Sequence, residues 1–272
     1  MSADPRFLDL LAELDRREAQ ARQHDPEGVH RARVTCRRLR ALLATYRPVL
    51  DRAAADALAA ELRWFGQELS LARDGHVVHQ ILTRMLAEEP PGLVATAARA
   101  RVERTYGGTR AVPDVFGSER YAALRAALAG LAVTRPEEPV LRRRVRKEVD
   151  RVVRRHDAVA AAADRDVAMH LVRKGAKRLR YAAELWEPDG GKDARRVVEG
   201  AKSLTQLLGE RQDTVLVRTH LLDLAAAAEA AGETTFTYGR LHARAQQRAE
   251  ELDAAFDRVW ESFTGPATRS TC

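Results

Sequence analysis

Apolar residues recur at spacings of three and four from Pro5 to about Phe263. This 3.6-residue period predicts helices along almost the whole chain. Asp25-Pro26-Glu27 supplies an N-cap, a proline at the first helical position and an acid in the first turn; the helix it opens is expected to run to Tyr46, before Arg47-Pro48. Further helices are expected over 52–70, after Asp74 and from Ser118 to Leu131, with Pro90-Pro91-Gly92, Gly107-Gly108 and Pro113 breaking the stretch between the last two. Pro136-Glu137-Glu138-Pro139 reads as a linker at the midpoint. Beyond it the pattern predicts helices over 139–163 and Asp166–Trp186, a loop at Pro188-Asp189-Gly190-Gly191, and helices near 193–209, 213–231 and 236–263.

The second half echoes the first. His30 through Arg40 align without gaps with His170 through Arg180 at an offset of 140, and at an offset of 139 Arg63, Leu69 and Asp74 meet Lys202, Leu208 and Asp213. The fold class expected from this is all-α: two tandem helical bundles related by an internal repeat. One domain is expected over 1–272, with repeats at about 5–135 and 139–264 and a flexible tail over 265–272.

Composition adds limits. At 272 residues and 45% hydrophobic content the chain has enough apolar material for a sizeable core, and 5% aromatic content goes with helices rather than sheets. Cys36 and Cys272 cannot build a disulfide framework. No basic, apolar leader opens the chain and no uncharged run approaches the ~18 residues of a membrane span, so a cytoplasmic protein is expected. The net charge of +7 is modest, and the informative feature is where the charge lies.

On a helical wheel His30, Arg33, Arg37 and Arg40 form one stripe less than about a quarter-turn wide, opposite Ala32, Cys36, Leu39, Leu42 and Leu43. His170, Arg173, Lys177 and Arg180 do the same opposite Val172, Ala176, Leu179 and Trp186. Neither eleven-residue segment contains a carboxylate. Unneutralised cations at helical neighbours cost a few tenths of a kcal/mol per pair, which a bound anion offsets. Arginine forks suit phosphate, and repeating cations suit a repeating anion. The two histidines read as phosphate donors, so affinity is expected to fall as pH rises from about 6 to 8.

The doubled pattern resembles the CHAD domain, the conserved histidine α-helical domain family. The resemblance rests on Val29-His30 through Arg40, Glu61-Leu62-Arg63-Trp64 leading to Ala72-Arg73-Asp74, His170 through Tyr181, and Leu207-Leu208-Gly209-Glu210-Arg211-Gln212-Asp213. It implies two helical bundles in pseudo-twofold relation and a central basic groove that binds inorganic polyphosphate, without catalysis, cofactor or metal. Carried over by position, the binding residues are His30, Arg33, Arg37, Arg38 and Arg40 with His170, Arg173, Lys174, Lys177, Arg178 and Arg180, and Arg63, Arg73 and Lys202 as wall residues from neighbouring helices. Polyphosphate granules are the accompanying partner. The chain departs from the pattern at Asp74-Gly75-His76, and it lacks the Glu-x-Glu-x-Lys strands of a fused triphosphate tunnel domain, so a stand-alone binding domain is expected.

Three other features are weighed here. The basic run Leu141–Lys147 is followed by Glu148 and Asp150 and reads as a solvated, partly paired face. His76 and His79 beside Asp74 lack an evident third metal ligand. Nucleic acid would use the same phosphate contacts but needs stacking or groove-reading side chains, of which the stripes carry little. A phosphoryl-transfer enzyme needs metal-holding acids near the phosphate, and neither stripe contains one.

Overall fold

The computed structural model describes residues 4–23, 25–71, 74–108 and 115–265. Arg73, the Pro113 break and the tail beyond Gly265 lie outside them. The described residues form α1 (Pro5–Arg22), α2 (Pro26–Tyr46), α3 (Arg52–Leu71), α4 (Asp74–Ala87), α5 (Leu93–Tyr106), a 3-10 turn (Val115–Gly117), α6 (Glu119–Ala129), α7 (Glu138–Asp157), α8 (Arg165–Ala230) and α9 (Phe236–Thr264), with no strand among them.

Capping chemistry sets the helix starts. Asp25 accepts hydrogen bonds from the backbone N–H groups of Glu27 and Gly28, both at 3.0 Å, and so begins α2 where the sequence placed it. Asp164 accepts from the Val167 N–H at 3.0 Å and starts α8. Helix α7 stops at Asp157, and the Ala-rich segment after it makes turns instead of extending the helix to 163. Helix α5 was not anticipated because its buried stripe consists of small residues, Ala95, Ala98 and Val102, which give a weak apolar period.

Helix α8 is two antiparallel limbs. The chain reverses at Gly191, whose φ of 52° is a left-handed conformation that glycine adopts without side-chain cost. From 192 to 230 the second limb is continuous, whereas the sequence pointed to a break between 209 and 213. The reason lies in Arg211. It is buried and held at 2.5 Å by Asp253 of α9 and at 2.8 Å by Asp166 of the first limb, so tertiary contacts bind this segment into one helix.

Two apolar clusters form the core, and both draw on each half of the sequence. The larger takes residues from α1, α2, α3, α6, α7, both limbs of α8 and the end of α9. The smaller joins α4 and α5 to the far end of α8 and the start of α9. In the larger cluster Phe65 is fully buried, with ring centroids 4.6 Å from Tyr121 and 5.7 Å from Phe116. Phe65→Ala is expected to cost about 3–5 kcal/mol and to lower Tm by roughly 10 °C, read by thermal denaturation.

Helices α2 and the first limb of α8 cross at the centre of the fold. Residues 31–50 and 171–190 have the same pattern of buried, half-buried and exposed positions, except at Val34/Lys174, Ala41/Tyr181 and Ala44/Glu184. The flanking helices make reciprocal contacts there. Arg6 of α1 donates to the Glu184 carbonyl near the end of the first limb, and Arg144 of α7 donates to the Ala44 carbonyl near the end of α2. Helix α7 approaches α8 closely at Gly175, where a Cβ would sit 3.0 Å from the Arg155 guanidinium and 3.1 Å from Val152.

Candidate functional site

The apolar faces of α2 and α8 dictate where the cations go. Ala32, Cys36, Leu39, Leu42 and Leu43 on one helix, and Val172, Ala176, Leu179 and Ala183 on the other, are buried almost completely. That leaves Arg33, Arg37 and Arg40, and likewise Arg173, Lys177 and Arg180, half-buried along the edge of the crossing. Cys36 is sealed beneath them, and burial pushes its thiol up to about 12, which makes it an inert core residue.

The stripes of α2 and α8 meet. Burial, reinforced by the charges of Arg173, Arg37 and Arg180, pulls Lys177 down to about 7, with Asp213 acting in the opposite sense. Arg173 is held below the usual arginine range by burial and by Arg37, against the pull of Asp213. Arg40 is lowered by burial and then by Arg63 of α3, by Arg178 and by Arg37. A run of mutually repelling cations therefore passes from Arg173 through Lys177 and Arg37 to Arg40 and Arg63.

These groups are also short of acceptors. The Nε atoms of Arg37, Arg40, Arg173 and Arg180 are buried without a hydrogen-bond partner in the protein. Glu184 lies 3.3 Å from Arg180 Nε, an ion pair by distance that is not aligned as a hydrogen bond. Buried donors left unmatched cost about 1–3 kcal/mol each, more when charged. An anion laid along the stripe would satisfy several at once.

The histidines are not equivalent in their surroundings. His170 Nδ1 lies 2.6 Å from Gln212 Oε1 across the two limbs of α8, which makes it the donor, and burial followed by the charges of Lys174, Arg173 and Lys177 lowers its pKa. Burial and the neighbouring cations therefore disfavour its charged form, against the pull of the Gln212 hydrogen bond. His30 is half-buried on α2, and the position that matches Gln212 in the repeat is Arg73, outside the described residues. A titration between pH 6 and 8 falls on Lys177.

Other positions fall differently from the sequence expectation. Arg38 and Arg178 are exposed and engaged by carboxylates from elsewhere, Arg38 with Glu184 at 3.7 Å and Arg178 with Glu148 of α7 at 3.0 Å. Lys174 is exposed beside His170. Lys202 is exposed on the second limb with no ion pair among the described residues, whereas its repeat counterpart Arg63 reaches Arg40. Acid-free segments did not stay acid-free in space, because Asp213, Glu184 and Glu148 arrive from other turns and helices.

Asp213 is the residue beside the stripe that helical spacing could not reveal. It lies on the second limb, half-buried, with its carboxyl pushed up by burial while Arg173, Lys177 and Arg84 of α4 draw it down. Its only signal in the sequence was as a matched landmark of the repeat. Away from the crossing, His79 Nε2 lies 2.8 Å from Glu103, and no group of three or more His, Cys, Asp or Glu able to hold a metal occurs among the described residues. Nor is any described helix long and apolar enough to cross a membrane.

A family model for the CHAD domain matches residues 6–222, most of the chain and both basic stripes. The chain belongs to the CHAD domain family. The solved CHAD domain of the plant Ricinus communis superposes with a TM-score of 0.71 at 25% identity, covering 96% of this CHAD protein and 90% of that chain. PptA from Streptomyces chartreusis gives a TM-score of 0.72 at 21% identity, over 94% of this chain and 96% of that one, and shares the fold. Two uncharacterized proteins from two strains of Mycobacterium tuberculosis are 34% identical over 252 residues, 86% of this chain. This CHAD protein spans 48% of the length of those relatives.

Proposed function

We propose that this CHAD protein binds inorganic polyphosphate along the α2–α8 crossing, without chemical change to the ligand. The observation that carries this reading is the row of half-buried cations, Arg173, Lys177, Arg37 and Arg40, whose charges repel one another and whose arginine Nε donors have no hydrogen-bond partner in the protein; Arg180 continues the row beside Glu184. Such a row is costly in the free protein and is relieved by a ligand that brings negative charge and oxygen acceptors at short regular intervals. A phosphoanhydride chain has both properties and presents no base or sugar that would need recognition. His30, His170, Arg33, Lys174 and Arg63 flank the row as further donors, and cytoplasmic polyphosphate, including granules, is the partner assigned.

Nucleic acid shares the phosphates but spaces them farther apart and adds bulk that a half-buried row excludes. Tyr181 is buried with the Arg180 guanidinium 4.9 Å from its ring centroid, so it is not an exposed stacking platform. Asp213 lies among cations as an internal counterion, pushed up by burial and by Glu210 and drawn down by Arg173, Lys177 and Arg84.

Competition and salt titration test the reading. Long-chain polyphosphate is expected to displace single-stranded and duplex DNA at equal phosphate concentration, and log Kd should rise with log salt with a slope near the number of cations engaged, roughly four to six. Displacement in the reverse direction, or a flat salt response, overturns it.

A further inference from the structure

Residues from α2, α3, α7 and α8 line a cavity of about 220 Å³ to which none of the half-buried stripe residues contributes. Five cations line it, Arg47, Arg144, Lys147, Arg151 and Arg178, against two carboxylates, Asp56 and Glu148. The acids are already engaged: Asp56 lies 2.5 Å from Arg47, and Glu148 lies 2.5 Å from Arg151 and 3.0 Å from Arg178. Arg144 and Lys147 form no ion pair among the described residues, and Arg47 Nε is buried without a hydrogen-bond partner in the protein. Arg144 is anchored by its bond to the Ala44 carbonyl.

We infer that this cavity is a second anion site, built for a compact phosphate group such as orthophosphate, pyrophosphate or the end of a phosphate chain. Its volume lies below the ~300–1,000 Å³ typical of sites for larger organic ligands, yet exceeds what one or two waters fill. The excess of three positive charges matches a di- or trianion rather than a neutral molecule. The basic run on α7, which its flanking acids made look like a solvated face, thus divides: Arg142, Arg143 and Arg146 face solvent, and Arg144 and Lys147 face the cavity. This inference stands apart from the polyphosphate reading of the stripe.

Calorimetric titration of the whole chain with orthophosphate and pyrophosphate tests it. Pyrophosphate is expected to bind, and Lys147→Gln/Arg151→Gln should weaken it at least about tenfold while Arg37→Gln/Lys177→Gln changes it less than about threefold. If the paired variant proves unstable by thermal melting, Lys147→Glu, at an exposed position, replaces it with the same expectation. Comparing free-ended with end-blocked short polyphosphate separates the sources: equal affinities mean that the site takes a free anion, and a preference for free ends that vanishes in the cavity variant means that it holds a chain end. Pyrophosphate that does not bind, that binds the cavity variants as well as the native chain, or that is lost only with the stripe variant overturns the assignment.

Discussion

Arg37→Glu/Lys177→Glu is expected to weaken long-chain polyphosphate binding by at least about 100-fold, because each substitution removes a charge-assisted contact of about 1.5–3 kcal/mol and adds repulsion. Both side chains sit at the middle of the row, one from each repeat, and Arg37 bears directly on Lys177 and Arg173. Arg143→Glu/Arg154→Glu makes the same change in net charge at two exposed positions on α7. That pair should shift affinity less than about fivefold at physiological salt, since exposed charges beyond a Debye length are screened. Filter binding or calorimetry at one ionic strength compares them. Similar losses from both pairs would mean that net charge, and not the arrangement at the crossing, governs binding.

The second large effect centres on Lys177. In the folded protein it titrates near 7, below the ordinary lysine value of 10.5, with burial as the first cause, then Arg173, Arg37 and Arg180, and with Asp213 opposing. The unfolded chain therefore binds more protons between about 7 and 10.5, and this group makes stability rise with pH across that window; below pH 7 its penalty is fully present. A bound polyanion restores the charged form, so binding takes up a proton. Affinity should fall about tenfold from pH 6 to pH 8. Lys177→Arg, charged throughout, is expected to flatten that profile, and His170→Gln to leave it in place, because burial lowers the His170 pKa. A profile that follows His170 instead would return the titration to the histidine.

Lys177 also links binding to stability. Lys177→Met keeps the chain length and removes the buried charge, and it should stabilise the free protein at pH 6 by about 1–2 kcal/mol, or roughly 2–8 °C in Tm. The gain should shrink toward pH 10, where the native lysine is neutral in the fold. The same variant should bind polyphosphate more weakly. Opposite signs for stability and affinity are what a site held under charge repulsion predicts, whereas a salt-bridging lysine would lose both together.

Much of this was legible along the chain. The helix start at Asp25 follows from the Asp25-Pro26-Glu27 cap, and the wheel positions of Arg37 and Lys177 follow from the apolar stripe each helix must bury. The duplication marked the same residues twice, and the family resemblance named an anion for them. Positions such as Arg38 and Arg178 were marked too, by their neighbours in sequence, although each helix turns them away from its half-buried edge.

Tertiary structure decided the rest, because charge acts through space while a sequence orders it along a line. Only the antiparallel return of α8 at Gly191 brings Asp213 and Gln212 to the first limb, and only the packing of α7 sets Glu148 against Arg178 and opens the cavity beside Arg144. Burial, a property of the packed core alone, brings the titration of Lys177 near neutral pH. Local periodicity was enough to say which face of each basic helix carries the cations. How far those cations are desolvated, and which carboxylates reach them, depends on residues tens of positions away, and that is set by the way the helices cross.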